Sequence, residues 1–218
     1  MDIIGILKSL QTKENKMKNL ILIIICISFI NGCSKTPKKT EKQKIKEYIK
    51  NENVDAFKVL LIKNPLLKDE KFGMEKYSLL QLAAKYNNKT DIIKQILALG
   101  VDINETDFIG NTALHLVCYS PRGKYKIIQL LIKNNAKINV KNKYDKTPLD
   151  VVYKSSETLE DFIEGLDAGL IENAQPLSSK VKQVMRNQTN EVIKLLRSHE
   201  AKKGDELDKT GVKTPTVE

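Results

Sequence analysis

Two residue types that can do chemistry stand close together in the stretch GNTALHLVC, residues 110–118. The stretch holds His115, one of two histidines in the chain, and Cys118, one of three cysteines. Since they are three residues apart, they would share one face of a helix. The pair is open to three interpretations: a thiol nucleophile with its base, half of a metal site, or two structural side chains.

The segment that carries this pair recurs along the chain. The stretches YSLLQLAAKY, NTALHLVCYS and KTPLDVVYKS begin at residues 77, 111 and 146. Each contains a hydroxyl residue at the same place, and these are Ser78, Thr112 and Thr147. Three positions later comes a polar side chain: Gln81, His115 or Asp150. This spacing predicts a capping box, in which the hydroxyl accepts from the N3 amide and the N3 side chain reaches back to the N-cap.

Comparison between the units favours a structural role for the opening pair. A catalytic pair would have to be rebuilt from different residue types in every unit, because Gln81 and Asp150 occupy the position of His115. Cys118 shares its position with Ala84 and Tyr153. We therefore predict that His115 helps to start a helix and that Cys118 packs as a small apolar side chain.

A second apolar segment follows each of the first two starts. DIIKQILALG begins at residue 91 and KIIQLLIKNN at residue 126, and both carry apolar residues at i, i+1, i+4 and i+5. This pattern predicts a helix of two to three turns with one broad apolar stripe. One helix pair cannot bury such stripes alone, so we expect the pairs to stack.

These units resemble ankyrin repeats, whose pattern runs Gly-x-Thr-Pro-Leu-His-x-Ala-Ala, then a Val-Val-x-Leu-Leu helix, then Gly-Ala-Asp-Val-Asn-Ala-x-Asp. The matching positions are Gly100, Asp102, Ile103, Asn104, Asp107, Gly110, Thr112, Leu114, His115, Ala136, Ile138, Asn139, Thr147, Pro148 and Leu149. Asn135 and Asp145 replace turn glycines of the pattern, and both residue types tolerate the left-handed conformation. The resemblance covers residues 77–152 and implies an all-α fold, an α-solenoid of stacked helix pairs with short hairpin loops.

About five helix pairs are expected in a repeat domain of residues 43–203. Residues 44–65 predict an N-terminal capping pair, residues 158–175 complete the fourth unit, and residues 178–203 form a fifth, capping pair. A competing arrangement makes residues 191–196 the second helix of the fourth unit, with about thirty inserted residues before it. We expect five pairs, because both downstream stretches have helical periodicity. Residues 204–218 are expected to be a disordered tail.

The N-terminal residues predict export. LILIIICISFI, residues 20–30, is an apolar run of 11 residues, within the range of a signal-peptide core and shorter than the roughly 20 residues that span a bilayer. Residues 30–33, Ile-Asn-Gly-Cys, resemble the lipobox of bacterial lipoproteins. The resemblance implies cleavage after a signal peptide of residues 1–32, which starts at Met1 or at Met17, and a lipid on Cys33. The alternative is an uncleaved anchor, or an apolar N-terminus in which the cysteine is incidental.

A lipidated Cys33 would hold the protein to a membrane of the bacterial cell envelope, on the periplasmic side or at the cell surface. Residues 33–42 are rich in Lys and Thr and lack apolar periodicity. They predict a solvated basic tether, and its lysines could also touch anionic headgroups.

Composition narrows the functional classes. The net charge is +10, but the lysines are spread along the chain and no basic motif interleaved with aromatic residues is present, so we do not predict nucleic-acid binding. With two histidines, no metal-spaced Cys/His cluster and no phosphate-binding Gly-rich loop, no catalytic, cofactor-binding or metal-binding residues and no small-molecule substrate are predicted. Three classes remain: a protein-interaction module, a structural or stress-protective envelope protein without a dedicated partner, and an enzyme. We expect the first.

The ankyrin resemblance implies that an unidentified protein partner contacts the hairpin tips and the concave face formed by the first helices. The tip candidates are Phe108, Ile109, Lys143 and Tyr144. The candidates on the concave face are Lys85, Tyr86, Tyr119 and Lys154. Exposed aromatic residues at such places are favoured anchors for protein interfaces.

Overall fold

A computed structural model of the chain describes residues 39–168, 170 and 175–209. Contacts divide the chain into two compact units, Met1–Thr40 and Glu41–Glu218, and every helix of the described residues belongs to the second. The predicted signal peptide, Cys33 and most of the predicted tether lie outside the described residues.

Nine α-helices lie within the described residues, and the first eight form four pairs. The pairs are α1 (Glu41–Lys50) with α2 (Val54–Lys63), α3 (Leu79–Tyr86) with α4 (Asp91–Ala98), α5 (Ala113–Cys118) with α6 (Tyr125–Lys133), and α7 (Pro148–Asp167) with α8 (Ser179–Ser198). A short 3-10 turn, Pro65–Lys68, follows α2, and α9 (Gly204–Lys209) ends the described chain. The first helices of successive pairs pack on one another, α1 on α3, α3 on α5 and α5 on α7. The predicted all-α solenoid is confirmed.

The first helices of the last three pairs begin where the repeats predict. Ser78, Thr112 and Thr147 are the N-cap residues of α3, α5 and α7, and each forms a complete capping box with its N3 residue. Pro148 is the first helical residue of α7. A backbone N–H at this position has no acceptor within the helix, so proline, which lacks the N–H, costs no hydrogen bond there. These boxes place the three helices in equivalent registers.

The interior consists mainly of small and branched apolar side chains shared between neighbouring pairs. On the first helices Ala83, Ala84, Val117 and Val152 are inaccessible to water, which lets the helices approach closely. On the second helices the i, i+1 and i+4 residues of the predicted stripes are buried, namely Ile92, Ile93, Ile96, Ile127, Ile128 and Leu131, and the i+5 residues Leu97 and Ile132 are partly buried. Burial of each such side chain contributes about 1.5–3 kcal/mol, and contacts between neighbouring pairs add to those within each pair.

The prediction of five pairs is wrong, and the competing arrangement is the one observed. Helices α7 and α8 each continue for 20 residues without a break, and the C-terminal half of α8 is the second helix of the fourth pair. Val192 and Leu196 there belong to the main core, whereas Leu159, Ile163 and Leu166 are buried outside it. Those last three residues pack in an inserted helical hairpin. Because their spacing continues the helical periodicity of α7, the sequence gives no signal for the end of that helix.

The ordered chain also extends beyond the predicted boundary at residue 203. Helix α9 occupies Gly204–Lys209, and Leu207 on it is buried. Arg197 on α8 donates to both carboxylate oxygens of Glu206, at 2.6 and 2.7 Å, and Lys141 pairs with Asp208. Residues 204–209 therefore cover the end of the stack, while residues 210–218 lie outside the described residues. In residues 39–168, 170 and 175–209 no helix is both long enough and apolar enough to cross a membrane.

Candidate functional site

His115 and Cys118 are buried structural residues, as the alignment of the repeats predicts. The backbone N–H of Thr112 donates to His115 Nδ1 at 3.1 Å, and His115 Nε2 lies 3.1 Å from the carbonyl oxygen of Lys146. Burial lowers the pKa of His115 to about 4 and raises the pKa of the Cys118 thiol, so both are neutral near pH 7. A neutral imidazole with both nitrogens hydrogen-bonded and a buried thiol do not form a nucleophile and base.

The N3 side chains also join each repeat to the next one, a role that the sequence did not reveal. Gln81 Nε2 donates to the carbonyl oxygen of Asn111 at 2.7 Å, and His115 makes the matching contact with Lys146 one repeat later. In the last repeat Asp150 accepts from the backbone N–H of Gly204 at 2.8 Å. The type of N3 residue therefore matches the group that it contacts. Gln81 and His115 face a backbone carbonyl of the next hairpin, and Asp150 accepts from the backbone N–H at the start of α9.

The hairpin tips are rigidly connected through their backbones. The N–H of Phe108 donates to the carbonyl of Glu75 at 3.0 Å, and the N–H of Lys143 donates to that of Ile109 at 2.9 Å. Asp145, predicted to tolerate a left-handed turn, has a φ of 56°, and Asn135 has a φ of 66°. Successive tips thus have fixed positions relative to one another.

Each of the three tips exposes a large apolar side chain. Phe108 is 61% exposed and Tyr144 is 64% exposed, while Ile109 is half-buried. Lys143 is exposed, and its ammonium lies 5.2 Å from the centre of the Phe108 ring. Met74, at the tip before Phe108, is 93% exposed. We call Met74, Phe108 and Tyr144 the tip row.

The candidates on the first helices form two separate groups. Lys85 is exposed and Tyr86 half-buried at the end of α3, where the Lys85 ammonium lies 2.9 Å from the hydroxyl of Tyr77. Tyr119 and Lys154 line a groove of about 570 Å³ between α5, α7 and the inserted hairpin, together with Arg122, Val151, Ser155, Thr158, Leu159, Phe162 and Met185. Partial burial raises the pKa of Tyr119, and Asp107 adds to that effect.

A buried lysine that the sequence reasoning missed connects two repeats. Lys124 precedes α6, and its ammonium donates to the carbonyl oxygens of Ala84 at 2.7 Å and Lys85 at 2.8 Å. Burial lowers the pKa of Lys124 to about 8, so the ammonium remains mostly charged at neutral pH. The charge satisfies the last carbonyls of α3, as cations do at a helix C-terminus.

Two other surface features were not predicted from the sequence, for different reasons. Met74 precedes Ser78 by four positions, as Phe108 precedes Thr112, and this shared offset was the signal that could have found it. Lys46 and Lys50 on α1 approach Tyr86 of the next pair, and only the stacking of α1 on α3 brings them there. Among the described residues, no group of three or more His, Cys, Asp or Glu side chains could hold a metal ion.

Comparison with known proteins agrees with the geometry of the stack. A family model described as ankyrin repeats, in three copies, matches residues 46–142 and 80–167.

Three proteins contain segments similar to this chain. A fowlpox virus (strain NVSL) protein named as an ankyrin repeat protein is 37% identical over 92 residues, covering 35% of this chain and 17% of the viral protein. A Plasmodium falciparum (isolate 3D7) protein named as an E3 ubiquitin-protein ligase is 40% identical over 88 residues, covering 37% of this chain and 1% of that protein. Alpha-latroinsectotoxin-Lt1a of Latrodectus tredecimguttatus is 34% identical over 65 residues, covering 30% of this chain and 4% of the toxin. The chain therefore spans only a small part of the length of each of these relatives.

Proposed function

The chain belongs to the ankyrin repeat family, and from that premise we propose that it is a protein-interaction scaffold whose partner docks on the tip row and the adjoining first helices. Ankyrin repeats present such surfaces because stacked pairs form an extended face on a rigid frame. The proposed role requires no catalytic residue and no cofactor.

The exposure of the tip row is the observation that carries this proposal. Three consecutive hairpins present Met74, Phe108 and Tyr144 to solvent at 93, 61 and 64% exposure. The tips are linked by backbone hydrogen bonds, so little conformational entropy would be lost when they are covered. Large apolar and aromatic side chains on a preorganised surface are the typical anchors of protein interfaces.

A pull-down with matched variants tests the proposal. The full chain, immobilised and exposed to a detergent extract of the parent cells, is expected to retain one stoichiometric partner. Phe108→Asp combined with Tyr144→Asp is expected to abolish retention, because a carboxylate cannot be buried in an apolar contact without a partner. Ile62→Asp is the control, since Ile62 is 77% exposed but lies on α2, away from the tips.

Two results would contradict the proposal. Equal loss of the partner with Ile62→Asp would move the interface to the second helices. Recovery of no specific protein, together with a cellular phenotype that survives the Phe108 and Tyr144 changes, would favour the alternative of a structural or stress-protective envelope protein without a dedicated partner.

We also propose that the scaffold is anchored to a membrane of a bacterial cell envelope through a lipid on Cys33. Support comes from the apolar run of residues 20–30 followed by the Ile-Asn-Gly-Cys stretch of residues 30–33. Mass spectrometry of the mature N-terminus tests this: the expected peptide begins at Cys33 and carries the mass of a diacylglycerol and an acyl chain. An unmodified Cys33, or a peptide that retains residues before it, would contradict the anchor.

A further inference from the structure

Three lysines from two neighbouring helices gather around the ring of Tyr86. The ammonium of Lys50 lies 4.6 Å from the ring centre, and those of Lys46 and Lys85 each lie 5.8 Å from it. The Lys85 ammonium also lies 4.6 Å from the ring centre of Tyr77 and 2.9 Å from its hydroxyl oxygen. We call Lys46, Lys50, Lys85 and Tyr86 the Tyr86 cluster.

The charge of this cluster is not neutralised within the described part of the chain. No ion pair formed between described residues includes Lys46, Lys50 or Lys85. Glu75 acts on Lys85 only at longer range. Exposed cation–π contacts of this kind are individually weak and remove none of the positive charge, so the cluster keeps a local excess of it.

We propose that the Tyr86 cluster binds an acidic segment of the partner protein, one whose Asp and Glu carboxylates lie between the three ammonium groups. This inference rests on the proposed function, because the cluster lies on the first helices α1 and α3. Two or more carboxylates would neutralise the positive charge of the lysines, and the apolar part of the segment would lie against the Tyr86 ring.

A short acidic peptide fits the cluster better than a nucleic acid or a membrane surface does. Three other lysines of the first two repeats are paired with carboxylates, Lys42 with Glu70, Lys71 with Glu105, and Lys89 with Glu52. Lysines outside any ion pair of the described residues also occur elsewhere in these repeats, such as Lys58 and Lys63 on α2, but within the described part of the chain no cation–π contact includes those two. Polyanions gain affinity from a continuous basic track along which many counterions are released, and the paired lysines interrupt such a track.

Fluorescence anisotropy with a defined probe tests the inference. The probe is a fluorescein-labelled peptide of about six residues in which Asp and Glu alternate. The control peptide has Asn in place of Asp and Gln in place of Glu. The upper limit of the titration is about 1 mM peptide. The full chain is expected to bind the acidic peptide, with affinity that falls as salt is added, and to leave the neutral peptide free.

Charge-reversal variants locate the binding site. Lys46→Glu combined with Lys50→Glu is expected to weaken binding at least about tenfold. Lys58→Glu combined with Lys63→Glu changes the net charge equally on the exposed face of α2 and is expected to leave the affinity within about twofold. Lys50→Gln is a milder variant that is expected to weaken binding by a smaller factor, and thermal unfolding followed by circular dichroism checks that each variant is folded.

Three outcomes would overturn the inference. They are no binding of the acidic peptide at the highest concentration, equal weakening by both double variants, and stronger cluster-dependent binding of single-stranded oligothymidylate or of phosphatidylglycerol vesicles than of the peptide. The peptide assay does not depend on the tip row, so it can fail independently of the pull-down. If a partner is recovered but the peptide does not bind, the proposed function stands and this inference is wrong. If the peptide binds but no partner is recovered, acidic-peptide binding by the cluster stands and the proposed function is wrong.

Discussion

At the scale of single residues, His115 makes the stability of the fold depend on pH. Burial lowers its pKa from 6.5 to about 4, so between these values the unfolded chain binds a proton that the folded chain does not. The free energy of unfolding should therefore decrease as the pH falls from 6.5 to 4, by up to about 3 kcal/mol. Urea unfolding at a series of pH values measures this decrease.

His115→Gln is the matched control for the pH prediction. Gln81 makes the same kinds of contact in the preceding repeat, so the variant is expected to remain folded without the decrease between pH 6.5 and 4. The ion pair with Arg197 lowers the pKa of Glu206 to about 2, so its contribution is lost between pH 4.5 and 2, a range that overlaps the His115 window only between pH 4.5 and 4. Equal pH dependence in the two proteins would contradict the assignment.

Gly204 should resist substitution because of where its backbone lies. A Cβ atom added there would be 2.3 Å from the carbonyl oxygen of Asp145. Gly204→Ala should therefore force the start of α9 away from the last hairpin and cost about 2–3 kcal/mol in urea unfolding.

Gly123→Ala gives the comparison for Gly204. Gly123 has a φ of 76° with no atom near an added Cβ, so only the strain of the left-handed backbone, about 1–2 kcal/mol, is expected. A smaller loss for Gly204→Ala than for Gly123→Ala would contradict the close approach of α9.

Single-residue roles were predictable where the repeats could be compared. The structural roles of His115 and Cys118 followed from the residue types at equivalent positions. The bonds of Gln81 and His115 to the following repeat did not, because a capping box explains the same residues from local spacing alone. The burial of Lys124 was also unforeseen, since lysine is rarely buried and its acceptors, the carbonyls of Ala84 and Lys85, belong to the preceding repeat.

At the scale of secondary structure, the inserted hairpin should be dispensable for folding. Its buried residues Leu159, Ile163 and Leu166 lie outside the main core, whereas Val192 and Leu196 lie within it. We predict that replacing residues 156–190 with a copy of the α3–α4 loop, residues 87–90, leaves a cooperatively folded stack. The free energy of unfolding should change by less than about 2 kcal/mol.

Circular dichroism and urea unfolding of the shortened chain check this result. Val192→Asp in the full chain is the contrasting variant, because it places a carboxylate in the main core and should cost more than about 3 kcal/mol. A shortened chain that fails to unfold cooperatively would show that the hairpin belongs to the folding core.

The start of a helix could be predicted where the sequence contains a capping box. Ser78, Thr112 and Thr147 correctly predicted three helix starts, because the hydroxyl and the N3 side chain of a capping box interact within one helical turn. The ends of α7 and α8 were not predictable, since the apolar period runs on through residue 166 and neither helix contains an internal proline. Periodicity shows that residues are helical, but it does not show which helix packs against which.

At the scale of the whole molecule, the repeats act as a frame on which surface residues from distant parts of the sequence meet. Lys46 and Lys50 meet Tyr86 because α1 stacks on α3, and Phe108 meets Lys143 because consecutive tips are bonded. The sequence predicted the stack and the protein-binding class that it implies. It did not predict the Tyr86 cluster, because that cluster depends on the packing of two separate helix pairs.

Site-specific photo-crosslinking in the parent cells is the most direct test of the tip row as the binding surface. A benzophenone amino acid placed at Phe108 is expected to crosslink to one protein, giving a single shifted band on a denaturing gel. The same amino acid at Ile62, which is 77% exposed on α2, is expected to give no such band. A band from Ile62 and none from Phe108 would contradict the account.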